Sequence, residues 1–128
     1  MPASASPAHI FLYGTLMRGQ PAHRVLAGRA TFVDDATIAG TLLALGRFPG
    51  VVAGRGRVRG EVWRLEAPEV LQTLDDYEGY NFERRTAVAT LASGRRVRAW
   101  LYRYRGPRTR AEKMVVIPEG DWRRHRWR

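Results

Sequence analysis

The sequence predicts an α+β fold: a small mixed or antiparallel β-barrel with a few short helices. Several short apolar segments rich in β-branched residues are separated by glycine-containing turns, whereas only one longer segment has a clear helical period. Strand and helix patterns do not alternate regularly, as they would in a parallel α/β protein. A chain of 128 residues with 45% hydrophobic residues suits one domain around one core.

The chain divides into three predicted parts. Residues 1–8 are mostly small residues and prolines, which predicts a flexible N-terminal arm. Residues 9–122 hold the periodic segments and form the predicted domain. Residues 123–128 form a basic tail that, together with Trp122, carries the aromatic and cationic side chains that stack on single-stranded nucleic acid. We favour the simpler interpretation, in which one tryptophan packs on the domain.

The first half of the chain predicts strands with tight connections. In chain order, we expect a buried strand at 9–13, a short helix at 21–26, two strand pieces within 31–45 that meet at an Asp34–Asp35 turn, a loop at 46–50, and a half-buried strand at 57–65. In the last of these strands, Val58, Gly60 and Val62 share one face, while Glu61 and Trp63 share the other.

The second half predicts a hairpin that follows a helix. Residues 82–91 and 96–104 alternate as strands do, and they are joined through Ser93–Gly94, a composition typical of hairpin turns. Residues 114–117 are a last apolar piece that can add to the sheet.

The helix is predicted at 68–78, because Pro68 lies in its first turn and Gly79 follows its end. Its apolar side chains recur at steps of three and four residues, as expected of a helix with one buried face. They are Val70, Leu71, Leu74 and Tyr77.

Glu78 ends this helix on its apolar side, four residues after Leu74. Desolvation disfavours the anion there, and the negative end of the helix dipole acts in the same direction. Both effects raise the pKa of Glu78 toward the neutral range in which a general base works. The alternative is that the side chain bends outward and stays solvated.

Several kinds of chemistry are not expected. The chain has no cysteine, which removes disulfides, thiolate metal sites and a cysteine nucleophile. His9, His23 and His125 are too dispersed for a metal site, so we expect no metal and no cofactor. The glycine–arginine run at 54–60 resembles a dinucleotide-binding loop only loosely, because it leads into a strand rather than a helix. We interpret it as a turn that leads into the strand at 57–65.

The net charge of +10 comes almost wholly from arginine, since Lys113 is the only lysine. Such a charge can attract nucleic acid or anionic metabolites. The arginines are spread from Arg18 to Arg128 rather than gathered in one segment, so we do not expect nucleic-acid binding. The first residues lack the pattern of a signal peptide, and no apolar stretch is long enough to cross a membrane. We therefore expect a cytoplasmic protein without a membrane partner.

Three motifs occur in a recognisable order. They are Tyr-Gly-Thr-Leu at 13–16, Gly-Glu-Val-Trp at 60–63 and Asp-Asp-Tyr-Glu-Gly-Tyr at 75–80. Together they resemble the gamma-glutamylcyclotransferase-like superfamily, and most closely the gamma-glutamylamine cyclotransferases and their small bacterial relatives. The resemblance extends over residues 9–122 and includes Gly-Asp-Trp at 120–122.

The resemblance implies a small β-barrel enzyme that cleaves a gamma-glutamyl amide by internal cyclisation and releases 5-oxoproline and a free amine. It implies that Glu78 is the general acid and base. It also implies that Tyr13, Gly14, Thr15 and Leu16 form the substrate-binding loop. The backbone N–H groups of this loop are then candidates to receive a negatively charged oxygen of the substrate.

Arg18, Tyr80 and Tyr102 are further candidates. The two tyrosines could shape the pocket and Arg18 could attract a carboxylate, although core tyrosines and a surface arginine would give the same pattern. The resemblance leaves the departing amine open: a free amino acid, the side chain of lysine or a biosynthetic amine. The competing class is a binding or sensor protein of the same fold that holds an anionic metabolite or nucleic acid on its basic surface without turnover.

Overall fold

The computed structural model describes residues 7–106 and 114–125. These residues contain six strands: β1 (His9–Leu12), β2 (Ala30–Leu45), β3 (Phe48–Leu65), β4 (Phe82–Leu91), β5 (Arg96–Tyr104) and β6 (Met114–Val116). One α-helix, α1 (Glu69–Glu78), connects β3 to β4. Short 3-10 turns lie at His23–Val25 and Trp122–Arg124.

Five of these strands close into a barrel. Around the barrel the order is β1, β3, β2, β4, β5 and back to β1, and β6 extends the sheet from β2. These pairs are antiparallel except for β1 with β5, which run parallel. The predicted small mixed β-barrel with short helices is confirmed.

The shortness of β1 shapes one end of the barrel. The pairing of β1 with β3 ends at Leu12 and Glu61, and farther along β3 pairs directly with β5 at Val51 and Arg103. The chain therefore leaves the sheet after Leu12, between β3 and β5. The residues that follow β1 form a loop at this end.

The core is built around β1. Ile10, Phe11 and Leu12 are at most 2% exposed. Gly60 allows β3 to lie close to β1, because a Cβ atom there would meet the carbonyl oxygen of Leu12 and would come within 2.8 Å of Phe11 Cζ. Burial of apolar side chains at about 25 cal/mol per Å² is the main force that holds such a barrel closed.

The helix α1 begins one residue later than predicted, with Pro68 at its N-cap position. It ends as predicted at Gly79, whose φ of 76° is favoured by glycine. Val70 and Leu74 are buried as expected, but Tyr77 is 44% exposed. The buried face of α1 therefore ends one turn earlier than predicted, because the last turn of α1 borders a cavity rather than the core.

The other local predictions have mixed outcomes. β4 and β5 have the predicted bounds, with the turn at Ser93–Gly94, so the hairpin is confirmed. The predicted helix at 21–26 is a single 3-10 turn. Only Gly46–Arg47 remain of the predicted loop at 46–50, because the two long strands β2 and β3 pair up to Leu45 and Phe48.

The predicted Asp34–Asp35 turn is wrong, because β2 continues through both residues. The register between β2 and β3 shifts between Phe32 and Asp34, which lets the strand bend without ending. Asp34 accepts the backbone N–H groups of Asp35 and Ser93 at 2.9 and 3.2 Å. Aspartate side chains commonly accept such backbone N–H groups in turns, and Asp34 does so within a strand.

The predicted turn at the start of the 54–60 run is also wrong, because the whole run lies inside β3, whereas the strand predicted from residue 57 is confirmed. Its glycines allow β3 to pack closely on β2: a Cβ atom on Gly54 would meet the hydroxyl of Thr41. Glycine within a strand can thus mark a close approach of two chains rather than a turn.

The C-terminal segment returns to the barrel. Trp122 is buried, which confirms that one tryptophan of the basic tail packs on the domain. Residues 126–128 of this tail and residues 1–6 of the predicted arm lie outside the described residues, and the domain bounds 9–122 stay a prediction. In the described part of the chain, no helix is long and apolar enough to cross a membrane.

We predict that Gly60→Ala lowers the free energy of unfolding by about 3 kcal/mol, because the new methyl group cannot fit against β1. Gly56→Ala in the same strand is the matched control, since its Cβ atom would meet only Gly40 O at 3.1 Å. We expect it to cost less than about 1 kcal/mol. Urea unfolding measures both, and equal losses would contradict the proposed close contact.

Candidate active site

A cavity of about 540 Å³ lies at the end of the barrel where β1 and α1 terminate. Its walls come from the loop after β1, the last turn of α1, the connection between β2 and β3, and the ends of β5 and β6. Sites for small organic molecules commonly have volumes of about 300–1,000 Å³. The cavity is therefore large enough for a small-molecule substrate.

The predicted substrate-binding loop lies at this cavity. Tyr13, Gly14, Thr15 and Leu16 all line it. The carbonyl oxygens of Gly14 and Thr15 accept the N–H groups of Met17 and Ala22 at 3.1 and 2.9 Å. By contrast, the N–H groups of Gly14, Thr15 and Leu16 have no hydrogen-bond acceptor among the residues that the structure describes. Unpaired N–H groups beside a cavity can receive a negatively charged oxygen of a ligand.

Gly14 is required by the packing of this loop. A Cβ atom at this position would clash with the ring of Pro49, which also lines the cavity. The glycine therefore lets the loop lie against the start of β3. The sequence-based expectation was that Gly14 brings the backbone close to a ligand, and the structure adds this protein contact as a reason for the glycine.

Glu78 is the last residue of α1, and its half-buried side chain lines the cavity. Burial raises the pKa of Glu78 from 4.5 to about 7, which confirms the expected direction. Its position at the negative end of the helix acts in the same sense. Within the described ranges, no hydrogen bond or ion pair reaches this carboxylate to offset its desolvation.

Glu78 is the only charged side chain among the described residues that line the cavity. A carboxylate that titrates near neutral pH in such a setting can both take up and release a proton. The ranges 7–106 and 114–125 contain no cluster of three or more histidine or acidic side chains that could hold a metal ion.

Tyr13 and Tyr102 line the cavity near Glu78, and both are buried. Burial raises the pKa of each hydroxyl far above its usual range, and the negative charge of Glu78 adds to this effect. The Tyr13 hydroxyl donates to the carbonyl oxygen of Tyr102 at 2.6 Å, and the Tyr102 hydroxyl donates to Asp75 Oδ1 at 2.6 Å. Both hydroxyl protons are thus already bonded to acceptors. The two side chains shape the cavity and stay neutral.

Asp75 lies one helical turn before Glu78, but its environment differs. Arg84 Nε donates to Asp75 Oδ1 at 2.8 Å, and the guanidinium of Arg84 lies 4.3 Å from the centre of the Trp100 ring. With Tyr102 as a second donor, the Asp75 carboxylate has hydrogen-bond partners on two sides. Asp75 does not line the cavity itself, but its hydrogen bond fixes the hydroxyl of Tyr102, which does.

Two of the further candidates lie elsewhere. Tyr80 is 81% exposed and borders a separate, shallow depression rather than the cavity. Arg18 is directed to Glu61 and Asp35, at 3.0 and 3.4 Å, and its guanidinium stacks on Phe32. Neither residue lines the cavity in the described part of the chain. Among these three candidates, only Tyr102 lies at the site.

The sequence analysis missed the role of Glu61, which it placed on the less buried face of β3. Glu61 is 1% exposed, and its Oε1 accepts the backbone N–H of Arg18 and the indole N–H of Trp63, both at 3.0 Å. Its Oε2 accepts Arg18 Nε at 3.0 Å, with Arg123 3.8 Å away. The carboxylate therefore links the end of the loop after β1 to the barrel. Glu61 is the only acid in a strand whose other charged residues are arginines, and this is the signal that could have indicated its role.

The comparisons with known proteins agree with the fold and the motifs. A family model described as gamma-glutamyl cyclotransferase, AIG2-like, matches residues 10–124. The protein belongs to this family, as the three sequence motifs indicated. The matched region contains the whole barrel, the loop after β1 and the helix α1.

Individual relatives cover different shares of the chain. The gamma-glutamylaminecyclotransferase of Rattus norvegicus is 36% identical over 85 residues, which are 56% of this chain and 55% of the rat protein. The chain thus spans only about half the length of that relative. The gamma-glutamylcyclotransferase family protein YtfP of Escherichia coli K12 is 30% identical over 115 residues, 88% of this chain and 94% of YtfP. The crystal structure of an aig2-like protein from Mus musculus superposes with a TM-score of 0.67 at 27% identity, covering 77% of this chain and 78% of the mouse protein.

We predict that Glu61→Gln lowers the free energy of unfolding by about 3 kcal/mol, because Arg18 and Arg123 lose their buried partner. Glu83→Gln is the matched control, since the ion pair of Glu83 with Arg85 is exposed. We expect a change of no more than about 0.5 kcal/mol there. Similar small changes for both variants in chemical denaturation would show that Glu61 does not anchor the loop.

A second prediction concerns the raised pKa of Glu78. Because the folded protein holds this proton up to about pH 7 and the unfolded chain only to about 4.5, the stability from this group is lost as the pH rises between these values. Glu78→Gln removes the effect. The variant should match the wild type near pH 4 and exceed its free energy of unfolding by on the order of 3 kcal/mol at pH 8. A difference that does not change with pH would contradict a raised pKa.

Proposed function

We propose that this protein cleaves gamma-glutamyl amides by internal cyclisation and releases 5-oxoproline and a free amine, with Glu78 as general acid and base. The observation that carries the proposal is the Glu78 carboxylate, which lines the cavity without an ion pair in the described chain and has its pKa raised to about 7. Membership of the gamma-glutamyl cyclotransferase family and the gamma-glutamylaminecyclotransferase of the rat support the same class of reaction.

The proposed reaction begins with a proton transfer. The α-amino group of the substrate is mostly protonated near neutral pH, since α-amino groups titrate at about 8, and it cannot attack in that form. The Glu78 carboxylate accepts a proton from it. The freed nitrogen lone pair then attacks the γ-carbonyl carbon of the same molecule and forms the new C–N bond of a five-membered ring.

The loop after β1 is suited to the charge that develops next. Attack moves the carbonyl electrons onto the γ-oxygen, and the unpaired N–H groups of Gly14, Thr15 and Leu16 can stabilise that oxygen or hold the α-carboxylate of the substrate. Protonated Glu78 then gives its proton to the departing nitrogen as the original amide bond breaks. The regenerated carboxylate then takes the second proton that the ring nitrogen must lose and passes it to the released amine, which leaves neutral 5-oxoproline. One group thus serves every proton transfer.

The protein has little else to supply, because the nucleophile and the electrophile belong to one molecule. Well-oriented intramolecular reactions reach effective molarities on the order of 10⁵ M or more. Tyr13 and Tyr102 keep the cavity wall rigid through their buried hydrogen bonds and can hold the folded conformer of the substrate. The proposal thus assigns proton transfer to Glu78, charge stabilisation to the loop and shape to the tyrosines.

The proposal predicts that the wild type releases 5-oxoproline from gamma-glutamyl alkylamides and that Glu78→Gln lowers kcat/KM by about 10²–10⁴-fold. The wild-type kcat/KM should fall about tenfold per pH unit below pH 7, since Glu78 is then protonated before the substrate binds. Chromatographic detection of 5-oxoproline across the pH range measures both effects.

Asp76→Asn is the matched control, because Asp76 is an exposed acid on the same helix and does not line the cavity. We expect its kcat/KM and its pH profile to stay within about twofold of the wild type. Full activity of a folded Glu78→Gln protein would rule out the assigned role. Equal losses in both variants would point to a general effect on α1 instead.

A further inference from the structure

The cavity has a second wall that the proposed reaction does not use. It is formed by five side chains that are apolar or aromatic, and we call them the apolar wall. They are Leu45, Phe48, Phe82, Tyr104 and Met114. Phe48 is 59% exposed, so apolar surface that the described residues leave open borders the cavity. Exposed apolar surface at a cavity commonly marks the place where a ligand packs.

The apolar wall is one continuous surface. Leu45 is the register partner of both Phe48 and Met114. Phe82 is the partner of Tyr104, and their rings meet edge to face with centroids 5.7 Å apart. Gly50 lies between the group around Leu45 and the Phe82–Tyr104 pair.

A Cβ atom on Gly50 would lie 2.6 Å from Leu45 Cδ1 and 3.0 Å from Tyr104 Cβ. Leu45 and Tyr104 therefore both pack over this glycine. The pairing of the strands and the packing over Gly50 therefore hold the wall in place.

The wall lies next to the reacting end of the cavity. Pro49 follows Phe48 in β3, lines the cavity and contacts Gly14 of the substrate-binding loop. A gamma-glutamyl group held by this loop and by Glu78 would therefore place its amide substituent toward the wall. That substituent is the part of the substrate that leaves as the amine.

The charges at the cavity disfavour a charged leaving group. Among the described lining residues there is no arginine, lysine or histidine to pair with a carboxylate, and the one carboxylate present, Glu78, would repel it. Glu78 is needed for the α-amino group, so it is not available to pair with a second ammonium group. A charged group moved from water to an apolar surface without a partner loses its hydration without compensation.

From these observations we infer that the departing amine carries no charged group besides the nitrogen that is released. Its substituent is an alkyl or aryl group that packs on the apolar wall. The inference rests on the proposed cyclisation and narrows its substrate class. It distinguishes this site from one built for gamma-glutamyl amino acids, whose leaving group has its own carboxylate. It also distinguishes it from a site for amides of diamines or of the lysine side chain, whose leaving groups carry an ammonium group.

The test compares gamma-glutamyl amides of similar length that differ in charge: the hexylamide, the cadaverine amide and the aminohexanoate amide, with the ethylamide as the short reference. We expect kcat/KM for 5-oxoproline release to be at least tenfold higher for the hexylamide than for either charged amide. Between ethylamide and hexylamide, each methylene group should raise kcat/KM by roughly two- to fourfold.

Phe48→Ala tests the wall itself. We expect it to lower kcat/KM for the hexylamide at least fivefold while changing that for the ethylamide less than twofold. Val88→Ala is the matched control, because Val88 is 51% exposed on β4 and does not line the cavity. It should leave both rates unchanged. Circular dichroism and thermal unfolding of each variant verify that it is folded.

The outcomes separate this inference from the proposed function. Glu78-dependent release of 5-oxoproline at equal or higher rates from a charged amide would overturn the inference and leave the cyclisation intact. A hexylamide preference that Phe48→Ala does not reduce would also overturn it, since the preference would then come from elsewhere. No release from any amide by the folded wild type would overturn the proposed function, and the inference with it.

Discussion

The buried carboxylate of Glu61 holds together the segments on which the cavity depends. Removal of a carboxylate from water is costly, and a buried ion pair adds stability only when its remaining hydrogen-bond positions are also filled. Here the backbone and side chain of Arg18 and the indole of Trp63 donate to it, and Arg123 lies close. The loop after β1, the strand β3 and the C-terminal turn thereby share one anchor. This arrangement fixes the end of the loop at Arg18, and the contact of Gly14 with Pro49 fixes its start.

A comparison of Glu61 with Glu78 shows how environment separates two carboxylates of one small barrel. Glu61 is surrounded by hydrogen-bond donors from Arg18 and Trp63. Glu78, by contrast, has no such donor in the described chain, and burial raises its pKa to about 7. The first arrangement suits a structural anchor. The second suits a group that gains and loses a proton, as an acid and base in a reaction must.

The same end of the barrel combines polar and apolar requirements. The unpaired N–H groups after β1 suit the charged end of a gamma-glutamyl substrate, whereas the long β2–β3 pair and β6 present an apolar surface beside it. Gly14 and Pro49 join the two parts, because their contact sets the loop against the start of β3. The barrel thus provides the fixed frame, and the residues at its end give the cavity its polar and apolar parts.

The sequence by itself determined the features that depend on neighbouring residues. The helix between Pro68 and Gly79, the hairpin β4–β5 and the direction of the Glu78 pKa shift follow from helical spacing, turn composition and the helix dipole, all of which act within a few residues. Resemblance of three motifs to a known family added the loop at 13–16, and the structure brings this loop and Glu78 to one cavity.

Only the tertiary structure decided the features that depend on distant partners. The Asp34–Asp35 pair and the 54–60 run have the composition of turns, yet both lie within strands, because pairing of β2 with β3 outweighs local preference. The burial of Glu61, the diversion of Arg18 away from the cavity and the apolar wall likewise come from contacts between residues far apart in the chain. Local patterns carry no information on such contacts, because each depends on how separate segments close into one barrel.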